Sequence, residues 1–336
     1  VSMSVSVKDV AATAGVSVGT VSNVLNQPER VAPATVDKVQ RVIRELGFVR
    51  NDAARQLRAG RSRSIGLVVP DVGNPFFAEV ARGAEERASA AGLTVLLGNS
   101  DENPQRQDAH IELFREQRVN GLLVTPVSDD LESLRALKDA GVPVIFVDRE
   151  DPDHEFASVA VDDVEGGRLA VAHLLESGRR RIAFLAGPTS IHQVADRLQG
   201  ARDAVAAVEG ATLEVVERGG LTVLNGRSAG EEIVARAPHD RPDAVFAAND
   251  LLAVGVLQAF ALGGGIRVPE DIALVGYDDI DFAAATVVPL TSVSQPARML
   301  GWTAVDLLLK ETSGDSEGHE RAIRFQPELV VRDSSG

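Results

Sequence analysis

From residue 64 onward the chain alternates short apolar runs with segments of helical period, and this limits the fold more than any other feature. The runs "SIGLVVP", "LTVLLGN", "GLLVTP", "PVIFVD", "RIAFLAG", "DAVFAAND" and "IALVGYD" are strand-sized and far short of a membrane span. Helical segments lie between them. That order predicts parallel sheets covered by helices, an α/β class. The pattern also repeats. "RSIGLVV" returns as "RRIAFLA", and "RGAEERASAAG" returns as "QGARDAVAAVEG", so that Ile65 and Ile182, and Gly83 and Gly200, are each 117 residues apart. Two similar lobes with a cleft between them follow. Polar residues collect at the C-terminal ends of the strands, among them Asp71, Thr125, Asp148, Arg149, Asn249, Asp250 and Asp278. Open α/β sheets bind their ligands at that edge.

The segment before residue 64 differs in period and in charge. It holds ten Lys and Arg against five Asp and Glu, a net +5, so the rest of the chain carries −20 of the total −15. A small basic head on a large acidic body predicts that the head meets a polyanion, although solvated arginines clustered by chance would give the same count. Within the head, "GVSVG" matches the G-x-S-x-G elbow of serine hydrolases. An elbow needs a strand before the serine. Here Val7, Val10, Ala11 and Ala14 have helical spacing, Ser6 and Asp9 form an N-cap pattern, and Gly15 suits a left-handed stop. The hydrolase reading fails on that context. Ser17 is instead placed to cap a second helix through Val18, Val21, Val24 and Leu25. Helix, tight turn and capped helix make a helix-turn-helix, whose second helix enters a major groove. A third helical run, "PATVDKVQRVIRELG", completes the head, although Ala32 stands where a capping side chain would be expected.

The run A-G-V-S-x-x-T-V-S-x-V-L-N followed by N-x-A-A-x-x-L resembles the LacI/GalR family of bacterial transcription regulators, and the likeness extends over essentially the whole chain. The resemblance implies an N-terminal all-α helix-turn-helix head joined to a two-lobed, periplasmic-binding-protein-like domain with parallel sheets. The head would span residues 1–50 and a hinge helix with its linker 51–63. An effector-binding and dimerisation domain would span 64–336. Its first lobe would take about 64–162 plus 291–322, and its second about 163–290 plus 323–336. By the same resemblance Val18, Gly19 and Asn23 face bases, while Ser17, Thr20, Ser22 and Asn26 face phosphates. Asn51 caps the hinge helix. Leu57, with Ala54 beside it, wedges into the minor groove at a central CpG step. The matching effector residues are Phe76, Phe77, Asp148, Arg149, Arg197, Asp250 and Asp278. An arginine fork with several carboxylates suits a polyhydroxyl ligand, so a sugar or sugar derivative is expected. Leu221 replaces an aromatic residue common in the family, which removes stacking on that side.

The function expected is a repressor acting as a cytoplasmic homodimer on a pseudo-palindromic operator in double-stranded DNA, controlled by a small-molecule effector. A solute-binding protein without regulatory role is the alternative that the body alone would support. The basic head and the lack of a signal-peptide pattern in "VSMSVSVKDV" oppose it. The end "QPELVVRDSSG" shows no leucine-heptad pattern of the kind that makes tetramers. No catalytic residue and no cofactor are expected, since the chain lacks Cys, a Gly-Lys phosphate loop and H-E-x-x-H. Asp278, Asp279 and Asp281 resemble a metal cluster only in composition, without a Gly-turned loop, and no metal is expected.

Overall fold

The computed structural model describes residues 5–48, 62–263, 265–313 and 320–336. The chain divides into two compact units, residues 1–62 and 63–336.

The first unit is three helices: α1 (Val7–Ala14), α2 (Val18–Asn26) and α3 (Pro33–Leu46). Ser6 and Asp9 form a reciprocal capping box, and Gly15 ends α1 at φ 61°. Ala32 gives α3 no side-chain cap, and Pro33 at its first position fixes the helical φ instead. Val10, Ala14, Val21, Val24, Val39 and Phe48 close a small core. Most of the apolar stripe read from the sequence is buried or half-buried; Val18 is the exception and stays exposed.

The second unit holds two six-stranded sheets. The first consists of β1 (Ser64–Val69), β2 (Thr94–Asn99), β3 (Leu122–Val124), β4 (Val144–Val147), β5 (Ala157–Val161) and β11 (Ala322–Phe325), in the order β11-β5-β4-β3-β1-β2. All its pairings are parallel. The second consists of β6 (Arg181–Ala186), β7 (Thr212–Glu217), β8 (Ala244–Ala247), β9 (Ala273–Asp278), β10 (Thr291–Ser294) and β12 (Glu328–Val330), in the order β12-β10-β9-β8-β6-β7. Only β12 runs antiparallel to its neighbour. Helices α4 (Pro75–Ala90), α5 (Pro104–Glu116), α6 (Glu132–Asp139) and α11 (Ala297–Ser313) cover the first sheet. Helices α7 (Asp163–Glu176), α8 (His192–Ala206), α9 (Val223–Ala235) and α10 (Asp250–Gly263) belong to the second.

The chain therefore passes between lobes three times: after β5, after β10 and between β11 and β12. This moves two boundaries from where the sequence placed them. β10 pairs with β9, so the second crossing lies near Gln295 rather than at 291. β11 pairs with β5, so the third lies between Phe325 and Glu328 rather than at 323. A four-residue strand such as TSVS or AIRF carries no mark of the sheet edge it joins; only tertiary pairing decides it.

The 117-residue echo has a packing cause. β1 and β6 hold matching positions in their sheets. Gly83 on α4 lies against α11, and Gly200 on α8 lies against α7. A Cβ at either would stand 1.8 Å from a backbone carbonyl oxygen, that of Arg298 or of Val164. Both lobes use a glycine to bring two helices into backbone contact.

Candidate functional site

In the head, Val21 and Val24 turn inward and leave one face of α2 to solvent. The Ser17 hydroxyl accepts the Thr20 amide at 2.9 Å and lies 2.9 Å from the Thr20 hydroxyl. It is a cap, as the helical pattern before it requires. Val18 is 46% exposed, so it is free of the head's core and available for apolar contact. Gly19, Asn23 and Asn26 are exposed; Thr20 and Ser22 are half-buried. Asn26 donates to the Ser22 carbonyl at 2.9 Å and lies 3.2 Å from its hydroxyl, which fixes both side chains. The surface so formed carries short hydroxyl and amide groups suited to phosphate oxygens, with Asn23 able to bond adenine. Asn51, Ala54 and Leu57 lie outside the described residues.

In the body, a cavity of about 210 Å³ lies between the lobes at the C-terminal ends of their strands. Asn74 caps α4 by accepting the Phe76 amide at 3.0 Å, which brings Phe76 and Phe77 to the cavity wall. Their rings meet edge-on, 5.0 Å apart, and both are buried. Arg197 enters from α8 and is held on three sides. It donates to Asp163 at 2.7 Å and to the Ala248 carbonyl at 2.7 Å, and its guanidinium lies 3.6 Å over the Tyr277 ring. Burial alone would lower its pKa, but Asp163, Tyr277, Asp278 and Asp148 outweigh it, so the cation is held charged.

Two carboxylates complete the floor. Asp148 follows β4 at φ 59°, and Asp278 ends β9 at φ 102°, a left-handed backbone uncommon outside glycine. Asp278 accepts from Gln295 at 2.8 Å and from Asn74 of the other lobe at 3.2 Å, and lies 3.8 Å from Arg197. Burial pushes its pKa up to about 6 against the pull of Arg197. Asp148 accepts from the Gln193 amide of the other lobe at 3.1 Å, while its Oδ1 is buried without a hydrogen-bond partner among the described residues. Burial, then repulsion from Asp163, holds its carboxyl well above the usual range.

Two residues expected in the cleft are elsewhere. Asp250 is fully buried beneath it. Its oxygens accept from the Ser292 hydroxyl at 2.7 Å and the Ile280 amide at 2.9 Å, so it fastens the loop after β9. Its neighbour Asn249 lines the cleft instead, donating to the Leu221 carbonyl at 3.1 Å. Arg149 turns away from Asp148 to the carbonyls of Pro126 and Ser128 and to Asp129, and lines an adjoining cavity. It stiffens the segment after β3. Sequence reasoning put Asn249 at the ligand-binding strand edge without counting it among the effector residues, and assigned no role to Asn74 or Gln193; all three line the cleft. Asn74 and Asn249 stand at helix N-termini beside strand ends, which is the signal that marks them. Leu221 does line the cleft wall. Among the described residues no group of His, Asp and Glu is arranged to hold a metal ion, and no helix is long and apolar enough to cross a membrane.

Comparison with known proteins agrees with this geometry. Residues 6–51 match the model of bacterial regulatory proteins of the lacI family, and residues 171–335 match a periplasmic binding protein-like domain. The chain is 35% identical over 334 residues to the HTH-type transcriptional repressor PurR of Photobacterium profundum, covering 98% of each chain. A lac repressor dimer bound to operator and the anti-inducer ONPF superposes with a TM-score of 0.85 at 29% identity, over 99% of both chains. The complex of the transcriptional regulator CelR with cellobiose gives 0.70 at 34%, over 98% of this chain and 99% of that one.

Proposed function

Because the chain belongs to the lacI family of bacterial regulatory proteins, a family of transcriptional regulators and not of enzymes, we propose that it is an operator-binding repressor whose affinity for DNA is set by a small polyhydroxyl effector. The observation that carries the effector reading is the 210 Å³ cleft. In it an immobilised arginine, two carboxylates and three amides converge from both lobes beside a pair of phenyl rings. Such a lining hydrogen-bonds a ligand with donors and acceptors around its whole edge and covers its apolar face. The lac repressor and CelR structures, solved with ONPF and cellobiose, support a sugar-class ligand. Ser17, Val18, Gly19, Thr20, Ser22, Asn23 and Asn26 form the protein's side of the DNA interface, with Asn51, Ala54 and Leu57 as the hinge contribution. The active species is a homodimer, matching a two-fold operator, and it works in the cytoplasm, where its DNA is.

Ligand control means that effector and operator affinities are coupled. Titrating labelled operator with the full chain, with and without saturating effector, measures that coupling. Equal affinities under both conditions would remove the regulatory claim and leave only a DNA-binding protein.

A further inference from the structure

The charges around the cleft are weighted toward carboxylates. Among the described residues, Arg197 is the Lys or Arg at its wall, and His192 stands beside it. Arg197 is already paired with Asp163 at 2.7 Å, and the His192 ring bonds Asp129 at 2.8 Å. Four carboxylates line the same wall: Asp71, Glu102, Asp148 and Asp278. Asp278 shares Arg197 at a longer distance and is met by two amides. Asp148 is 4% exposed, and among the described residues its carboxylate receives only the Gln193 amide, through Oδ2, which leaves Oδ1 with no donor there. A buried acceptor in that condition is costly unless a ligand supplies the missing donor.

We propose that this cleft selects its polyhydroxyl ligand by charge, admitting uncharged and amine-bearing sugars and rejecting phosphorylated or carboxylated ones, with Asp148 as the selecting group. The proposal rests on the reading of the cleft as the effector site. A hydroxyl or an ammonium donates to Oδ1 and completes its hydrogen bonding. A phosphate dianion or a carboxylate offers no donor and adds a like charge where Asp148, Asp278 and Asp163 already repel one another. Burial raises the pKa of both carboxyls, and repulsion from Asp163 adds to it. At the mouth, Glu102 is also pushed up, by burial and then by Asp71 and Asp101, so an approaching anion meets carboxylates there too.

Asp148→Asn tests this without disturbing the backbone, because asparagine tolerates the left-handed conformation at φ 59°. The full-length protein and the variant are screened by thermal shift, then titrated calorimetrically. The panel holds common aldohexoses and aldopentoses with their amino, phosphate and uronic acid derivatives. The expected result is that every ligand stabilising the parent protein is uncharged or aminated. Its anionic derivatives bind at least tenfold more weakly, and Asp148→Asn narrows that gap by tenfold or more. An anionic sugar that binds the parent protein more tightly than its uncharged counterpart would overturn charge selection while leaving the polyhydroxyl reading intact. So would a variant that keeps the parent's ratio. If no member of the panel binds either protein, the polyhydroxyl reading fails and takes this proposal with it.

Discussion

Asp278 shows how a single residue records what a site is for. Its carboxylate is buried, its backbone sits at φ 102°, and its pKa stands at about 6 instead of 3.8. Backbone strain of this kind costs about 1–3 kcal/mol and persists only where surrounding structure enforces it. The shift has a definite sign in stability. Between about pH 4 and pH 6 the native state holds this proton and the unfolded chain does not. Its contribution is therefore full below pH 4 and is lost as pH rises through 6. Thermal denaturation of the ligand-free protein against Asp278→Asn should show the parent losing ground over that window and running parallel to the variant above it. Parallel curves throughout would mean that the carboxyl is not perturbed. In the head, Ser17→Ala removes an N-cap of about 1 kcal/mol together with a phosphate contact, so operator affinity should drop. Ester hydrolysis should be absent from both forms; activity in the parent that the variant lacks would restore the elbow reading. Ser17 was legible because a cap depends on its immediate neighbours alone. Asn249 and Asp250 were not, since the two are adjacent and only the phase of α10 decides which one faces the cleft. Arg149 was misplaced because the left-handed turn at Asp148, φ 59°, redirects the chain just past β4, so adjacency in sequence does not bring the two side chains to one side.

Three helix pairs are joined by reciprocal glycines: Gly83 with Gly301, Gly167 with Gly200, and Gly226 with Gly255. Each replaces a side chain by the backbone of the partner helix. The middle pair matters most for the cleft, because a Cβ on Gly167 would stand 2.1 Å from the carbonyl oxygen of Arg197 itself. The α7–α8 contact thus sets the distance from Asp163 on one helix to Arg197 on the other. Gly200→Ala should destabilise the protein by about 1–3 kcal/mol or more, because backbone cannot move aside as a side chain can. It should also weaken effector binding by shifting Arg197. Gly219→Ala is the control: none of the described residues lies within 4 Å of its Cβ, and the substitution should be close to neutral in urea denaturation. Equal loss from both would deny that close approach is the cause. The 117-residue echo exposed two of these glycines at sequence level, but their partners on α11 and α7 could be found only once the helices were paired. The lobe boundaries were lost to the same cause, since β10 and β11 are too short to announce their sheets.

In the two-lobed body, closure is a contest among a few bonds that cross between lobes. Asn74 meets Asp278, Gln193 meets Asp148 and His192 meets Asp129. The first two lie within the cleft wall, so changing them alters ligand contacts as well as closure. Asp129 is different. It lines the adjoining cavity and not the cleft, and its side chain is 79% exposed. Asp129→Ala removes no cleft-lining side chain, so its effect on effector affinity passes through closure or through the His192 and Arg149 side chains that it holds. An exposed pair of this kind contributes about 0–1 kcal/mol, which converts to at most about a fivefold change. If the ligand-binding state is the closed one, its population falls in the variant and the apparent Kd rises by the same factor. Linkage then requires a second consequence: operator affinity measured at subsaturating effector should move toward its effector-free value, while the value at saturation stays fixed. Calorimetry for the effector and operator titration at two effector concentrations check the two halves separately. A raised Kd with no matching movement in operator affinity would show that the cleft closes without informing the head.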